Sequence, residues 1–347
     1  MRAAVIYKPG YIRVVERPIP QPGPDEVLVQ VAMCGTCGTD LKILDGHFPL
    51  TPPELTPGHE WAGTVAAVGA TVNEFAPGDR VCIEAHSGCG RCDNCLTGRY
   101  TACLNYGNTA KGHRASGMSA NGGFAEYAVH HVSALYRLPP ELTWEDAVLI
   151  TTAGTGLYAI DVAGGYVAGL NIAVFGPGPV GLTTVQALKA LGAGQVILAG
   201  TRPSRLELGK RLGADQVINV EQTDPVQAIL DLTGGAGADW TIECSGALAA
   251  PQYCAEATKR GGRIVVVAFY PDRVTFDLSA VVRKDISIFT SRGEGGNNVK
   301  RAVSLAAAGK LRGAVMVTHH VPLDDIAEAF RIVRERDGDP VKVVVVP

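Results

Sequence analysis

The sequence predicts an α/β protein of two units, a small β-barrel and a doubly wound parallel sheet. Three observations carry this. The 347 residues, 46% of them hydrophobic, suffice for about two cores at roughly 150 residues each. Up to about Arg137 the chain is a succession of short β-rich runs broken by Pro and Gly. From about Gly154 it changes to apolar runs of four to seven residues alternating with helical patterns.

In chain order, the barrel strands are expected at Ala3–Tyr7, Glu26–Val31, Gly63–Val68, Arg80–Glu84 and Phe124–Val129. The second unit reads strand Ile172–Phe175, helix Val180–Leu191, strand Val196–Ala199, helix Ser204–Leu212, strand Gln216–Val220 and helix Pro225–Thr233. It continues with strand Trp240–Cys244, a helix near Ala249–Lys259, and strands Arg263–Phe269 and Ile286–Thr290. Continuous Val/Ile runs separated by amphipathic helices are the mark of strands buried on both faces, hence of a parallel sheet with helices on each side. Two further helices, near Val299–Ala308 and Leu323–Arg334, precede a terminal strand, Val341–Val346, which must pair somewhere and is expected to return to the first unit. The domains would then be residues 1–152 with 291–347, and an inserted 153–290.

Composition excludes several function classes. Lys plus Arg total 31 against 34 Asp plus Glu, a net charge of −3, so no global field would hold a nucleic acid or an anionic membrane. Gly261–Phe269 and Val341–Val346, the longest apolar stretches, fall far short of the roughly 18 residues of a membrane span. With Met1–Ile6 opening directly into a strand-like run, a soluble cytoplasmic protein without an export signal is expected.

Nine cysteines, an odd number, suggest metal before disulfides. Cys89, Cys92, Cys95 and Cys103, spaced Cys-x2-Cys-x2-Cys-x7-Cys in a Gly-rich lobe of about residues 86–105, suit a tetrahedral zinc whose four thiolates leave no open position. That zinc would be structural. An iron–sulfur cluster uses the same ligand type, but the polar surroundings give no reason to shield a redox centre. A second, split signal is Cys37, in Cys37-Gly38-Thr39-Asp40, with His59-Glu60, in Gly58-His59-Glu60. A thiolate, an imidazole and a carboxylate form a three-ligand set whose fourth position can take water or a substrate oxygen, as a catalytic zinc requires.

The third motif is Gly176-Pro177-Gly178-Pro179-Val180-Gly181, placed between an expected strand and an expected helix. The first glycine permits the tight turn, the second admits a pyrophosphate, and the third allows close helix–strand packing. At the end of the next strand an Asp or Glu would bind the adenine ribose of NAD and repel a 2′-phosphate. Gly200 stands there instead, followed by Thr201, Arg202 and Arg205, and Arg202 can make paired bonds to a phosphate. NADP is therefore favoured over NAD.

Together these residues, with the ending Asp339-Pro340-Val341-Lys342-Val343, resemble the zinc-containing medium-chain dehydrogenase/reductase family of alcohol, polyol and threonine dehydrogenases, over essentially the whole chain. The resemblance implies a GroES-like catalytic domain and a Rossmann cofactor domain. It implies that Cys37 and His59 ligate a catalytic zinc, with Glu60 a ligand or an exchangeable partner, and that Thr39 links a substrate hydroxyl to a proton relay. By the same likeness Val267, Ala268, Phe269, Thr290 and Ser291 flank the nicotinamide. Two departures stand out: a family ligand position falls on Thr151, and a family histidine is Lys42. The reading is a reversible alcohol or polyol dehydrogenase with two zinc ions per subunit, acting on a small-molecule alcohol or ketone as a homodimer or homotetramer. L-threonine dehydrogenase and a non-catalytic NADPH-binding relative are the alternatives.

Overall fold

The computed structural model describes residues 1–347 as two compact units, Met1–Gly154 with Gly293–Pro347, and Thr155–Arg292. In the first, a hairpin of strands Arg2–Lys8 and Tyr11–Glu16 turns at Gly10, whose φ of 75° a side chain would strain. A seven-stranded sheet follows. Its central strand, Glu26–Gly35, pairs antiparallel with Glu60–Val68, Tyr127–His131 and the terminal strand Lys342–Val346. Its core holds Trp61, Phe124, Ile43, Leu55, Val29 and Val81. Trp61 is fully buried, and its indole Nε1 donates to Ser116 Oγ at 3.0 Å, which offsets the cost of taking that N–H out of water. Two register shifts between Glu26–Gly35 and Glu60–Val68 locally bend the strands that lead to Cys37 and from Glu60.

The second unit is a six-stranded, wholly parallel sheet ordered Gln216–Asn219, Gln195–Gly200, Asn171–Phe175, Ala238–Glu243, Thr258–Val266, Ser287–Thr290. Ala173, Val174, Ile197, Leu198 and Ile242 are all fully buried, which is why these strands carry no polar alternation. The order reverses between Asn171–Phe175 and Ala238–Glu243, and the crevice beyond the carboxyl ends of strands at such a point is where open α/β sheets bind ligands.

Several elements depart from expectation, among them the strand expected at Phe124–Val129, which runs Tyr127–His131, and three more. The strand expected at Arg263–Phe269 runs Thr258–Val266, because Val267 and Ala268 turn their amides to the carbonyl of Glu243 instead of continuing the ladder. A helix, Ile150–Val162, occupies a Thr/Gly-rich stretch of low helix propensity. Its Gly156 lets the backbone of the helix lie against Thr184, since an added Cβ would come within 2.7 Å of that hydroxyl. Val317–Pro322 is a strand, parallel to Lys342–Val346. No helix is long and apolar enough to cross a membrane.

Candidate functional site

Cys37 is the N-cap residue of helix Gly38–Leu44, and the side chain of Asp40 at N3 folds back to accept the Cys37 amide at 2.8 Å. The other oxygen of Asp40 accepts the Gly58 amide at 3.2 Å, so one buried carboxylate ties the Cys37 turn to the turn before His59. Gly58 has φ of 94°, and a Cβ there would strike Cys34 Sγ at 2.7 Å and the ring of Phe124. Only glycine brings the two turns this close. Metal-ligating atoms of Cys37, His59 and Glu60 consequently lie within 4.8 Å of one another, with His59 and Glu60 buried.

The electrostatics of this pocket ask for a cation. His59 Nδ1 lies 3.3 Å from Asp40 Oδ1, a distance at which the pair attracts although the hydrogen-bond alignment is poor. Burial disfavours a charged imidazole, yet Asp40 and Cys37 outweigh it and leave the proton affinity of His59 well above the ordinary histidine value. A pocket that draws a proton so strongly fits a divalent metal held by Cys37, His59 and Glu60, with Asp40 orienting the imidazole from behind. Burial pushes the thiol of Cys34 up, and Asp40 and Glu60 add to the rise, which leaves it a core group.

Both oxygens of Glu60 are engaged from the protein side. Thr152 Oγ1 donates to Oε1 at 3.1 Å, and the ammonium of Lys342 bonds to Oε2. Lys342 is 2% exposed and also donates to the carbonyl of Thr36 at 3.1 Å. Thr151 is buried and gives its hydroxyl to the carbonyl of Ile83 at 2.7 Å, so this side chain is committed away from a ligand role. Thr39 is half-buried in the first turn of its helix, and Lys42 is exposed at the other end.

In the lobe, metal-ligating atoms of Cys89, Cys92, Cys95 and Cys103 also lie within 4.8 Å of one another. The Cys89–Cys95 and Cys92–Cys103 sulfur pairs are each 3.9 Å apart, close to the roughly 3.8 Å edge of a tetrahedron with 2.3 Å zinc–sulfur bonds. Amides of Leu104 and Asn105, and the side chain of Asn105, donate to Cys92, Cys103 and Cys89. Backbone donation from Arg91, with Asn105, lowers the Cys89 thiol to about 6. These donors fit a cluster of thiolates around a cation.

In the second unit, Gly176 (φ 106°) turns the chain out of strand Asn171–Phe175, and Gly178 caps helix Pro179–Ala190, with Pro179 at its first turn. A Cβ on Gly181 would lie 1.9 Å from the carbonyl of Gly176, so the third glycine sets the helix against the strand. A Cβ on Gly178 would meet nothing within 4 Å, which leaves backbone amides at the helix N-terminus open to a pyrophosphate. Gly200 has a reason of its own: a Cβ there would strike the ring of Pro177 at 2.2 Å. Arg202 is the N-cap residue of helix Pro203–Arg211, Thr201 is exposed beside it, and Arg205 lies in the first turn. Val267, Ala268 and Phe269 follow the strand that ends at Val266, and the Ser291 amide bonds to the carbonyl of Val266 at 3.0 Å, just after strand Ser287–Thr290.

Sequence reasoning missed Lys342, Thr152 and Glu243 as organising groups. The first was signalled by a single cation inside the apolar run Val341–Val346. Glu243 is fully buried at the end of its strand and accepts from the Ser245 amide at 2.7 Å and from Tyr270 Oη at 2.7 Å. It thereby shapes the loop whose Ser245 lies against Gly176.

Two family models match the chain, the alcohol dehydrogenase GroES-like domain over residues 23–140 and the zinc-binding dehydrogenase over residues 179–308. L-threonine 3-dehydrogenase of Pyrococcus horikoshii is 35% identical, over 96% of this chain and 95% of that protein. Sorbitol dehydrogenase of Bacillus subtilis is 31% identical, over 100% of this chain and 97% of its own length. A structure described as a zinc-binding dehydrogenase from Sinorhizobium meliloti, bound to NADP, superimposes with a TM-score of 0.91 at 32% identity, covering 100% of this chain and 99% of that one. With a metal-ligating trio on a GroES-like unit, a glycine turn on a Rossmann sheet and relatives aligned along nearly the whole length, the chain belongs to the zinc-dependent medium-chain dehydrogenase/reductase family.

Proposed function

We propose that this protein reversibly oxidises a secondary alcohol or polyol to its ketone with a nicotinamide dinucleotide, NADP in preference to NAD. The observation that carries the reading is the convergence of half-buried Cys37 with buried His59 and Glu60 on one point. When bound, zinc supplies Lewis acidity that lowers the pKa of an alcohol oxygen, and the nicotinamide supplies the hydride acceptor. The chain does the rest. Cys37 and His59 hold the cation, Asp40 fixes the imidazole, Glu60 is the third donor, and the Thr39 hydroxyl passes the alcohol proton onward.

Gly176, Gly178, Pro179, Val180 and Gly181 receive the pyrophosphate, and Thr201, Arg202 and Arg205 receive the adenosine end. Because Pro177 alone explains Gly200, the preference for a 2′-phosphate rests on Arg202, supported by the NADP in the Sinorhizobium relative. Val267, Ala268, Phe269, Thr290 and Ser291 border the nicotinamide. A second zinc in Cys89, Cys92, Cys95 and Cys103 is structural. The domains divide near residues 152 and 290, and the enzyme works as a homodimer or homotetramer in the cytoplasm.

The test is a panel of simple secondary alcohols, polyols and L-threonine, assayed with NAD and NADP in parallel. Turnover of an alcohol or polyol with the better kcat/KM on NADP is expected. The similarity to the Pyrococcus enzyme favours L-threonine as the second reading, and turnover of threonine alone, with NAD, would replace the first.

A further inference from the structure

Glu60 stands between two claimants. Its carboxylate belongs to the metal-ligating trio, yet Oε1 already accepts from Thr152 and Oε2 from Lys342. Lys342 is a fixed partner. Thr36 grips the neighbouring residue of its strand twice, its amide and its hydroxyl each donating to the carbonyl of Val343 at 2.9 Å. Val344 and Val345 stand opposite Gly35 and Cys34 in the ladder, and the ammonium returns to the carbonyl of Thr36. The backbone is shaped around the pair: a Cβ at position 35 would fall 2.7 Å from Glu60 Oε2 and 3.3 Å from Lys342 Cδ, so glycine occupies it.

The charges close. Cys37 as thiolate, Asp40 and Glu60 carry three negative charges, and one divalent cation with Lys342 carries three positive ones. Remove Lys342 and the pocket is one negative charge in excess, with one carboxylate oxygen of Glu60 free to settle on the cation.

We propose that Lys342 is a positioning residue that holds Glu60 as a withdrawable third donor, competing with the metal for Oε2 so that the coordination position it covers can be surrendered to an incoming ligand. This rests on the metal-site reading above, and the test separates the two.

The protein is loaded with cobalt(II) in both sites, and visible absorption follows imidazole titration and the rate of cobalt loss to a chelator. Wild type is compared with Lys342→Met, Lys342→Arg and the double variant Lys342→Met/Glu60→Gln. Lys342→Met should bind imidazole about tenfold more weakly and release cobalt about tenfold more slowly, the scale on which groups behind metal ligands act. Arg at 342 and the double variant should both restore imidazole binding. Should Lys342→Met fail to fold, Lys342→Gln keeps an amide donor to Glu60 while dropping the charge, and its shift should have the same direction.

Unchanged imidazole binding in cobalt-loaded Lys342→Met overturns the proposal. So does a weakening that Glu60→Gln fails to reverse, since Glu60 would then not be the donor that competes for the position. A wild-type protein that takes up cobalt only in the four-cysteine lobe, with no spectral change on Cys37→Ala, overturns the metal-site reading and this proposal with it.

Discussion

Arg202 and Gly200 were read as one signal for a 2′-phosphate, and the structure separates them. The ring of Pro177 leaves no room for a side chain at position 200, so the missing acid there is a packing consequence of the Gly-Pro-Gly turn. The guanidinium of Arg202, at the N-cap of helix Pro203–Arg211, remains the group suited to a phosphate. Arg202→Ala should weaken NADPH by about 10- to 100-fold, as loss of a charge-assisted hydrogen bond of roughly 1.5–3 kcal/mol requires. NADH affinity should stay nearly constant. Fluorescence titration of both cofactors decides this, and equal losses would remove the phosphate assignment. The single residues legible in advance were those with local partners: Cys37, whose turn is closed by Asp40 three residues on, and the glycines of Gly176–Gly181. Lys342 and Glu60 are 282 residues apart, and no local pattern can join such a pair.

Among the elements, the four-cysteine lobe was legible because its ligands lie within a few residues of one another. The way it is fastened was not. Tyr100 in the lobe and Tyr136 in strand Leu135–Arg137 both donate to the carboxylate of Glu84, and Tyr100 Oη also reaches the carbonyl of Gly296 at 3.3 Å. Burial, with Glu294 nearby, raises the Glu84 carboxyl from 4.5 to about 8. A raised acid gives stability that is complete below its ordinary value and is lost as pH rises through the folded one. Glu84→Gln, which cannot ionise, should therefore flatten the decline between about pH 4.5 and 8, where the native state holds a proton the unfolded chain has shed. The slope removed can reach about 1.4 kcal/mol per pH unit. Calorimetry across that range checks it, and an unchanged slope would mean Glu84 is not protonated there. The helix Ile150–Val162 was missed because its Thr and Gly content argues against a helix. Those glycines instead let neighbours approach closely: Gly156 faces Thr184, and Gly154 faces Val299 and Glu294.

For the molecule as a whole, the two-unit α/β architecture followed from texture alone: short strands with turns, then buried apolar runs with helices between them. Chemistry was legible where motif and fold agreed, and it thinned where partners come from distant segments, as with Thr152 and Lys342 around Glu60. The two candidate metal sites, with the different tasks proposed for them, should separate on mutation. Elemental analysis is expected to find about two zinc ions per chain, matching one closed four-thiolate site and one open site. Cys37→Ala should lose one of them and nearly all turnover while keeping its melting temperature within a few degrees. Cys92→Ser should lose the other and melt markedly lower, because a structural zinc contributes folding free energy directly. Equal metal loss from both variants would contradict two independent sites.

The strand that seats Lys342 beside Glu60 has a temporal meaning. Its partner, Glu26–Gly35, leaves the ribosome before it, and the whole stretch Thr155–Arg292 is made before residue 342 emerges. The Rossmann sheet, continuous in sequence, can be complete while the carboxylate of Glu60 still lacks its counter-charge. Biosynthesis thus leaves the balancing of the pocket to a segment translated after the whole of the Rossmann sheet, and a nascent chain halted before it would present its ligands in an unneutralised state.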